Sequence, residues 1–218
     1  MEVYERQAGE NGELVLRGDG RHFEIISNGV FLMDTRAGES ERLLVRAALE
    51  RAARPCRVLI GGLGVGFSLA EALRSPRTEA VTVIEREPAV IAWHATHLRP
   101  YSGGALTDPR VRVERADLLG WLRAAAGTDE RYDVVCLDID NGPDWTVTEG
   151  NAALYGPPGL DLLAGCLRPG GVLAVWSAGA APAFEARLRE RFSGVSALAV
   201  QVARGEPDVV YLASTSPA

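Results

Sequence analysis

A glycine-rich stretch is the part of this sequence whose composition most directly indicates chemistry. It runs Val58-Leu-Ile-Gly-Gly-Leu-Gly-Val-Gly66, so that Gly61, Gly62, Gly64 and Gly66 follow an apolar run. Glycines allow positive φ angles and let a ligand approach the backbone closely. A tight turn without a ligand is the alternative interpretation, and the motif alone does not decide between the two.

Three acidic residues follow the next apolar runs along the chain. Glu85 lies about twenty residues beyond the glycines, where a carboxylate can accept hydrogen bonds from both ribose hydroxyls of an adenosine. Asp117 could bind the adenine amino group or cap the helix that we predict from Leu118, and the two roles are compatible. Asp138 follows the fourth run. Because ligands bind at the carboxyl ends of parallel strands, these acids and the glycines together predict a nucleotide site.

The spacing of the glycines indicates the class of nucleotide. Gly62 to Gly66 reads G-x-G-x-G, whereas a dinucleotide site typically has G-x-G-x-x-G. We therefore expect a nucleotide like S-adenosylmethionine rather than NAD. The predicted nucleotide-binding residues are Gly61, Gly62, Gly64, Gly66, Glu85, Arg86, Asp117 and Leu118, although Arg86 could equally belong to an exposed charged loop.

The elements that must position these residues alternate between strand and helix. Short apolar strands begin at Val58, Val81, Val111, Tyr132 and Val172, and helical segments separate them. Unbroken apolar strands alternating with helices predict a parallel sheet that is covered on both faces. Two final strands without a helix between them indicate an antiparallel strand. The predicted fold is α/β, with a Rossmann-like, seven-stranded, mostly parallel sheet of the class I methyltransferase type.

The first part of the chain has a different pattern. Gly18-Asp19-Gly20 separates two strand-like runs and is typical of a hairpin. We expect a small antiparallel β-sheet over residues 1–36 and a nucleotide-binding α/β domain over residues 37–218. Ser40 would cap a helix that extends to about Ala53.

Composition excludes several classes of function. The net charge of −6 argues against a nucleic-acid surface, which is normally basic. No apolar run approaches the ~20 residues of a membrane span, and the polar first ten residues do not resemble a secretory leader. Three scattered cysteines indicate a reducing compartment, so we expect a cytoplasmic protein. His94 and His97 have a spacing that metals can use, but no third ligand is evident, and we predict no metal site.

The sequence resembles the spermidine synthase family of aminopropyltransferases over roughly Gly29 to Trp176. Its glycine stretch corresponds to GGGDGG in that family, and Ile84-Glu85-Arg86-Glu87 corresponds to V-E-x-D. Thr107-Asp-Pro-Arg-Val111 with Ala116-Asp117 matches DDPRV and GDA. Tyr132-Asp-Val-Val-Cys-Leu-Asp138 matches YDVI-x-D, which SSDP follows in the family.

The resemblance implies roles for individual residues. Glu85 would bind ribose, Asp117 would bind adenine, and Asp138 would deprotonate or orient an attacking amine. The resemblance implies transfer of an aminopropyl group from decarboxylated S-adenosylmethionine to a small-molecule amine, and association as a homodimer. The expected substrate-binding residues are Asp140, Asn141, Asp144, Trp145 and Tyr155. The alternatives are a solvated acidic loop for the acids and core or lid packing for Trp145 and Tyr155.

The sequence also departs from the family pattern. Gly64 stands where the family has the acid that grips the donor ammonium, and Ser40-Glu41-Arg42 stands where it has Tyr-His-Glu. Asn141 replaces the second acid of the D-S-S-D motif unless Asp140 substitutes for it, and Trp176 lies where the family has a polar residue. Two alternatives to aminopropyl transfer therefore stay open: an S-adenosylmethionine-dependent methyltransferase of a small molecule, and a catalytically degenerate nucleotide-binding protein.

Overall fold

A computed structural model describes residues 1–52, 55–148, 150–203 and 205–217 of the chain. It contains two β-sheets, as predicted. A four-stranded antiparallel sheet has the strand order β1-β2-β3-β4. Its strands are β1 (Glu2–Gly9), β2 (Gly12–Gly18), β3 (Phe23–Ser27) and β4 (Val30–Asp34). The hairpin predicted at Gly18-Asp19-Gly20 joins β2 to β3, which pair in antiparallel register.

The second sheet has seven strands and confirms the predicted α/β fold. These strands are β5 (Cys56–Gly61), β6 (Thr78–Glu85), β7 (Val111–Arg115), β8 (Tyr132–Leu137), β9 (Leu167–Ser177), β10 (Ser193–Val200) and β11 (Asp208–Ser214). Their spatial order is β10-β11-β9-β8-β5-β6-β7. The pairs among β5 to β9 are parallel, and β11 is antiparallel to both of its neighbours.

Helices connect the parallel strands and cover both faces of this sheet. They are α1 (Glu39–Arg51), α2 (Phe67–Arg74), α3 (Pro88–Trp93), α4 (Arg99–Ser102), α5 (Leu118–Ala125), α6 (Pro157–Cys166) and α7 (Pro182–Arg191). Two clusters of buried apolar side chains form the core. Leu14, Leu16 and Ile25 of the small sheet belong to the same cluster as Leu44 of α1 and Ile60 of β5. The small sheet thus packs directly on the larger unit, and the division at residue 36 stays a prediction.

The structure corrects the predicted start of the first helix. Helix α1 begins at Glu39 after Gly38, and no side chain caps it. Ser40 is therefore not the cap; its hydroxyl instead bonds to Asp208, as described below. The expected end near Ala53 lies outside the described residues, and α1 ends at Arg51.

Two further boundaries differ from expectation. Proline near a first turn predicts a helix from Pro88 to His97, but α3 ends at Trp93, with irregular turns after it. Strand β1 was not predicted, because most of its residues are exposed and it lacks a continuous apolar face. All three cysteines are buried. Within the described segments, no helix has both the length and the apolar character that a membrane crossing requires.

Candidate active site

A cavity of about 560 Å³ opens at the edge where β5, β6, β7 and β8 end. This is the edge at which open parallel sheets bind their ligands. Most of the sequence-predicted site residues line it: Gly62, Gly64, Glu85, Arg86, Asp117, Leu118, Asp138, Asp140, Asn141 and Trp145. The small sheet supplies an apolar wall that includes Leu14, Ile25 and Phe31. The structure thus brings the acids at the strand ends together, as the sequence predicts.

The glycine turn is held to neighbouring strands by backbone hydrogen bonds. The Gly62 N–H donates to the Ile84 carbonyl at 2.9 Å, and the Asp138 N–H donates to the Gly61 carbonyl at 2.9 Å. Gly62 has φ +92°, and a Cβ there would lie 2.1 Å from the Asp138 carbonyl oxygen. A side chain at this position is therefore excluded by both backbone strain and contact with Asp138.

We expect Gly62→Ala to destabilise the fold by about 2–5 kcal/mol, the sum of a left-handed conformation and overpacking. Urea unfolding would measure the change. Gly165→Ala is the matched control, because a Cβ on Gly165 of α6 would meet no atom within 4 Å. A Gly62→Ala protein as stable as the control would contradict the geometry.

Because Gly64 has no side chain, the Met33 side chain can pack against it. Gly64 has φ +48°, and a Cβ there would lie 2.3 Å from the Met33 sulfur. His94 fixes the same residue from the other side, because its Nε2 lies 2.9 Å from the Gly64 carbonyl oxygen and can donate to it. Burial lowers the pKa of His94, which favours the neutral ring. An apolar thioether therefore stands beside the turn at the position where the resemblance places an acid.

Glu85 bonds to the turn as well as facing the cavity. Its Oε2 accepts from the Leu63 N–H at 2.9 Å, and its Oε1 accepts from the Glu87 N–H at 2.7 Å. Burial raises the pKa of the Glu85 carboxyl, and these two bonds lower it. Each carboxylate oxygen keeps a further lone pair, so both can still accept a ribose hydroxyl.

Of four further residues predicted to bind the nucleotide, two line the cavity and two do not. Asp117 lines the cavity and also caps α5, since its Oδ2 accepts from the Gly120 N–H at 2.8 Å. Leu118 lines the cavity and packs tightly over Gly61. Gly61 and Gly66 do not line the cavity; Gly61 leaves room for Leu118, and Gly66 for His94. Contact of either glycine with a nucleotide stays a prediction.

Asp138 has the environment of a proton acceptor. Its Oδ2 accepts a hydrogen bond of 2.6 Å from the hydroxyl of Ser68, in the first turn of α2. Burial raises the pKa of the Asp138 carboxyl to about 7, the Glu41 carboxyl adds to the rise, and the Ser68 bond lowers it. A group with a pKa near neutrality can both take up and release a proton at physiological pH.

Two further carboxyls extend this acidic end of the cavity. The Ser40 hydroxyl lies 2.7 Å from Asp208 Oδ2 and 3.0 Å from Glu41 Oε2. Burial raises the pKa values of both carboxyls. Because the hydroxyl has one hydrogen, it donates to one carboxyl at a time, and a proton on the other would complete the second bond. The Trp176 indole lies beside this cluster and lowers the pKa of Asp208, although within the described chain its N–H has no hydrogen bond of good geometry.

Ser40, Glu41, Ser68 and Asp208 were not predicted as site residues. Asp208 begins β11, and because this strand is antiparallel, its first residue lies at the edge where the parallel strands end. The antiparallel direction of β11 could have indicated Asp208 as a residue of the site. Ser68 follows the glycine turn by two residues, which places it at the same edge.

The residues of the loop after Asp138 line the cavity in different ways. The Asp140 carboxylate accepts from the Thr148 N–H at 3.1 Å and from the Asn151 amide at 2.7 Å, so it holds the loop in place while lining the cavity. Asn141 lines the cavity, and its carbonyl accepts from the Ala178 N–H of the neighbouring segment. Trp145 lines the mouth and is 61% exposed.

Two predicted substrate contacts are not brought to the site. Asp144 is exposed and does not line the cavity. Tyr155 is buried in the core, where its ring packs edge-on against Phe184 at 5.6 Å, and its hydroxyl donates to the Ile139 carbonyl. The prediction that Tyr155 walls the pocket is therefore wrong, and the alternative of core packing is correct.

The two histidines that could have suggested a metal point to different partners. His94 contacts Gly64, whereas His97 lies 3.4 Å from Glu5. In the part of the chain that the structure describes, no group of three or more His, Cys, Asp or Glu side chains could hold a metal ion.

Charge in the cavity is strongly one-sided. Among the described residues that line it, eight bear a carboxyl group, and the one basic side chain is Arg86. The acids are Asp34, Glu41, Glu85, Glu87, Asp117, Asp138, Asp140 and Asp208. Such a cavity attracts cations and repels anions.

Comparison with known proteins gives one family. The family model described as "Spermine/spermidine synthase domain" matches residues 39–188, which is more than half of the chain. Proteins named polyamine aminopropyltransferase are similar in sequence. The protein from Mycobacterium tuberculosis strain H37Rv is 38% identical over 132 residues, covering 61% of this chain and 24% of the relative. That from Corynebacterium efficiens is 32% identical over 179 residues, covering 82% and 33%.

A relative from Hyperthermus butylicus is 30% identical over 189 residues, covering 85% of this chain and 62% of its own length. The chain thus spans between a quarter and two thirds of these relatives. Among solved structures, spermidine synthase from Thermotoga maritima aligns with a TM-score of 0.80 and 16% identity, covering all of this chain and 74% of its own. A spermidine synthase in complex with the transition-state analogue AdoDATO aligns with a TM-score of 0.82, 16% identity and coverage of 100% and 75%.

Proposed function

This chain belongs to the spermine/spermidine synthase family, and we propose on that basis that it is a transferase that moves an aminopropyl group from decarboxylated S-adenosylmethionine to a small amine. The observation that carries the proposal is the charge of the cavity, where eight carboxyl-bearing residues face one arginine among the described lining residues. Both substrates of this reaction are cations. An anionic acceptor would meet repulsion from nearly every charged group in the wall.

The nucleoside end of the donor would be held by residues at the ends of β6 and β7. Glu85 would accept from the ribose hydroxyls, and Asp117 from the adenine amino group. Glu85 also bonds to the Leu63 N–H, so the ribose and the glycine turn would share one anchor. The sulfonium and its alkyl arm would then lie over Gly62 and Gly64, which line the cavity.

Asp138 is the residue we assign to proton transfer. An acceptor amine enters as an ammonium ion, and one proton passes to the Asp138 carboxylate, which frees the nitrogen lone pair. The nitrogen attacks the carbon beside the sulfonium, the C–S bond breaks, and its electrons stay on sulfur. The products are neutral methylthioadenosine and a lengthened amine that carries the positive charge. Glu41 and Asp208 would hold the acceptor cation in line.

One observation favours a second candidate, a methyltransferase that uses S-adenosylmethionine. Met33 rather than an acid stands beside Gly64, so the donor tail would meet no carboxylate at that point. A donor that keeps its carboxylate would not be repelled there. The wider cavity opposes this candidate, because the carboxyls of Glu41, Asp138 and Asp208 lie in the same wall.

Calorimetric titration with decarboxylated S-adenosylmethionine, S-adenosylmethionine and methylthioadenosine distinguishes the candidates. We expect methylthioadenosine to bind, and decarboxylated donor to bind at least about tenfold more tightly than S-adenosylmethionine, or about 1.4 kcal/mol. Equal or tighter binding of S-adenosylmethionine would favour the methyltransferase. Binding of none of the three would contradict the nucleotide site itself.

Two wider features belong to the same proposal. A cytoplasmic location stays a prediction from the scattered cysteines of the sequence. Association as a homodimer stays a prediction.

A further inference from the structure

A second cavity, of about 420 Å³, lies next to the candidate active site. It is an open groove lined by three arginines, Arg36, Arg42 and Arg74, with the aromatic rings of Phe67 and Tyr101; we call it the arginine groove. Ala37 lines both this groove and the acidic cavity, so the two sites share one wall. Their charges are opposite.

The protein neutralises the positive charge of the groove only in part, and Arg42 is the clearest case. Arg42 is partly buried, and its guanidinium lies over the Phe67 ring at 4.2 Å from the centroid. Among the described residues, this guanidinium has no side-chain hydrogen bond or salt bridge; the Arg42 backbone N–H donates to the Gly38 carbonyl at 3.1 Å. A guanidinium stacked on an aromatic ring keeps its N–H groups at the edge, free to bind a ligand.

The other two arginines leave donors free as well. Arg36 uses Nη1 for Glu24 and Asp34, both at 2.7 Å, while its Nη2 contacts the Met1 sulfur at 3.6 Å. Arg74 is 69% exposed, and its one ion pair with a described residue is a loose contact of 3.5 Å with Glu71.

The acidic groups near the groove do not cancel this charge. Glu71, the partner of Arg74, also forms an ion pair with Arg46 at 3.5 Å. Glu39 is the one acid among the described lining residues, and it accepts from Arg46 at 2.9 Å. Arg42 and Arg74 therefore keep guanidinium N–H groups that no close ion pair among the described residues occupies, whereas Arg36 is paired with Glu24 and Asp34 and offers its remaining donors.

We propose that the arginine groove binds a phosphate-bearing small molecule, independently of the donor and acceptor site. Planar guanidinium groups bind phosphate oxygens through paired hydrogen bonds, and three of them around one opening suit a group with more than one negative charge. The volume exceeds that of a single phosphate, and the Phe67 and Tyr101 rings line the rest of the groove.

Inorganic pyrophosphate is the probe for the test. Titration calorimetry and thermal unfolding would be recorded with pyrophosphate, with sodium chloride at the same ionic strength, and with neither donor nor acceptor present. We expect saturable binding of pyrophosphate and a rise in Tm that chloride does not reproduce. A response equal to that of chloride would overturn the proposal.

Variants locate the binding in the groove. Arg42→Gln and Arg74→Gln are each expected to weaken pyrophosphate binding about tenfold or more, because each removes charge-assisted hydrogen bonds. Arg123→Gln changes the net charge equally at an exposed position on α5, and it should bind as the parent protein does. Arg74 is largely exposed, so its variant tests the groove even if loss of Arg42 disturbs folding. Unchanged affinity in Arg74→Gln and in a folded Arg42→Gln would contradict the proposal. Because no donor is present, failure of this test is separate from failure of the proposed function.

Discussion

Replacing Asp138 with asparagine is expected to reduce amine transfer by a factor of about 10²–10⁴, the usual contribution of a positioned proton acceptor. Asparagine has nearly the same shape, and its side-chain oxygen can still accept from the Ser68 hydroxyl, which bonds to Asp138 at 2.6 Å. It cannot take up a proton from the acceptor ammonium. The substitution therefore removes the chemical function while keeping the local structure.

The measurement is the rate of methylthioadenosine release at saturating donor and amine, together with calorimetric binding of methylthioadenosine. We expect the rate to collapse and the affinity for methylthioadenosine to stay within about threefold, or 0.6 kcal/mol. Asp129→Asn makes the same chemical change at an exposed position outside the cavity and should have no effect. Full turnover in Asp138→Asn would remove Asp138 from the mechanism.

The pH profile provides an independent readout of the same residue. Burial raises the pKa of Asp138 to about 7, and only the deprotonated carboxylate can accept a proton. The value of kcat/KM should therefore fall as the pH is lowered through this range. This fall of kcat/KM at low pH should be absent in Asp138→Asn. A fall that persists unchanged would assign the titration to another group.

The second large effect is expected at Glu85. Glu85→Gln is predicted to weaken methylthioadenosine binding by about 10–100-fold, since hydrogen bonds to a charged group contribute about 1.5–3 kcal/mol. The carboxylate accepts from the N–H groups of Leu63 and Glu87. A glutamine amide would turn its NH₂ group toward one of these donors, so that the glycine turn would also be loosened.

Two comparisons separate the ribose contact from the effect on the turn. Glu79→Gln, at the exposed opposite end of β6, is the matched control and should bind methylthioadenosine normally. A dideoxy analogue that lacks both ribose hydroxyls should bind more weakly than methylthioadenosine to the parent protein, and the difference should shrink in Glu85→Gln. An undiminished difference would mean that Glu85 acts on the turn alone.

The residues whose place in the fold the sequence predicted are those whose position follows from local pattern. Glu85, Asp117 and Asp138 each come within two residues of the end of a parallel strand, and adjacent parallel strands end at one edge. In open parallel sheets, ligands bind at the edge where the strands end. The edge that carries these three acids could therefore be predicted from the sequence, and their contact with a nucleotide stays a prediction.

The residues that were missed depend on contacts between distant parts of the chain. Ser40 has the sequence context of a helix cap, yet its hydroxyl bonds to Asp208, which lies 168 residues further along the chain. Met33 faces Gly64 because the small sheet packs on the larger one, and no periodicity in either segment indicates that contact. Tyr155 illustrates the opposite error, since an aromatic residue in a loop can belong to the core.

The position of β11 has a consequence for how the protein is made. This strand lies between β9 and β10, and within the described chain β10 pairs with β11 alone. During synthesis from the N-terminus, β10 therefore leaves the ribosome before its partner exists. The strands from β5 to β9 can already have paired, with Glu85, Asp117 and Asp138 at their ends. Insertion of β11 then completes the sheet and brings Asp208 to Ser40 in one late step, after the edge that carries Glu85, Asp117 and Asp138 has formed.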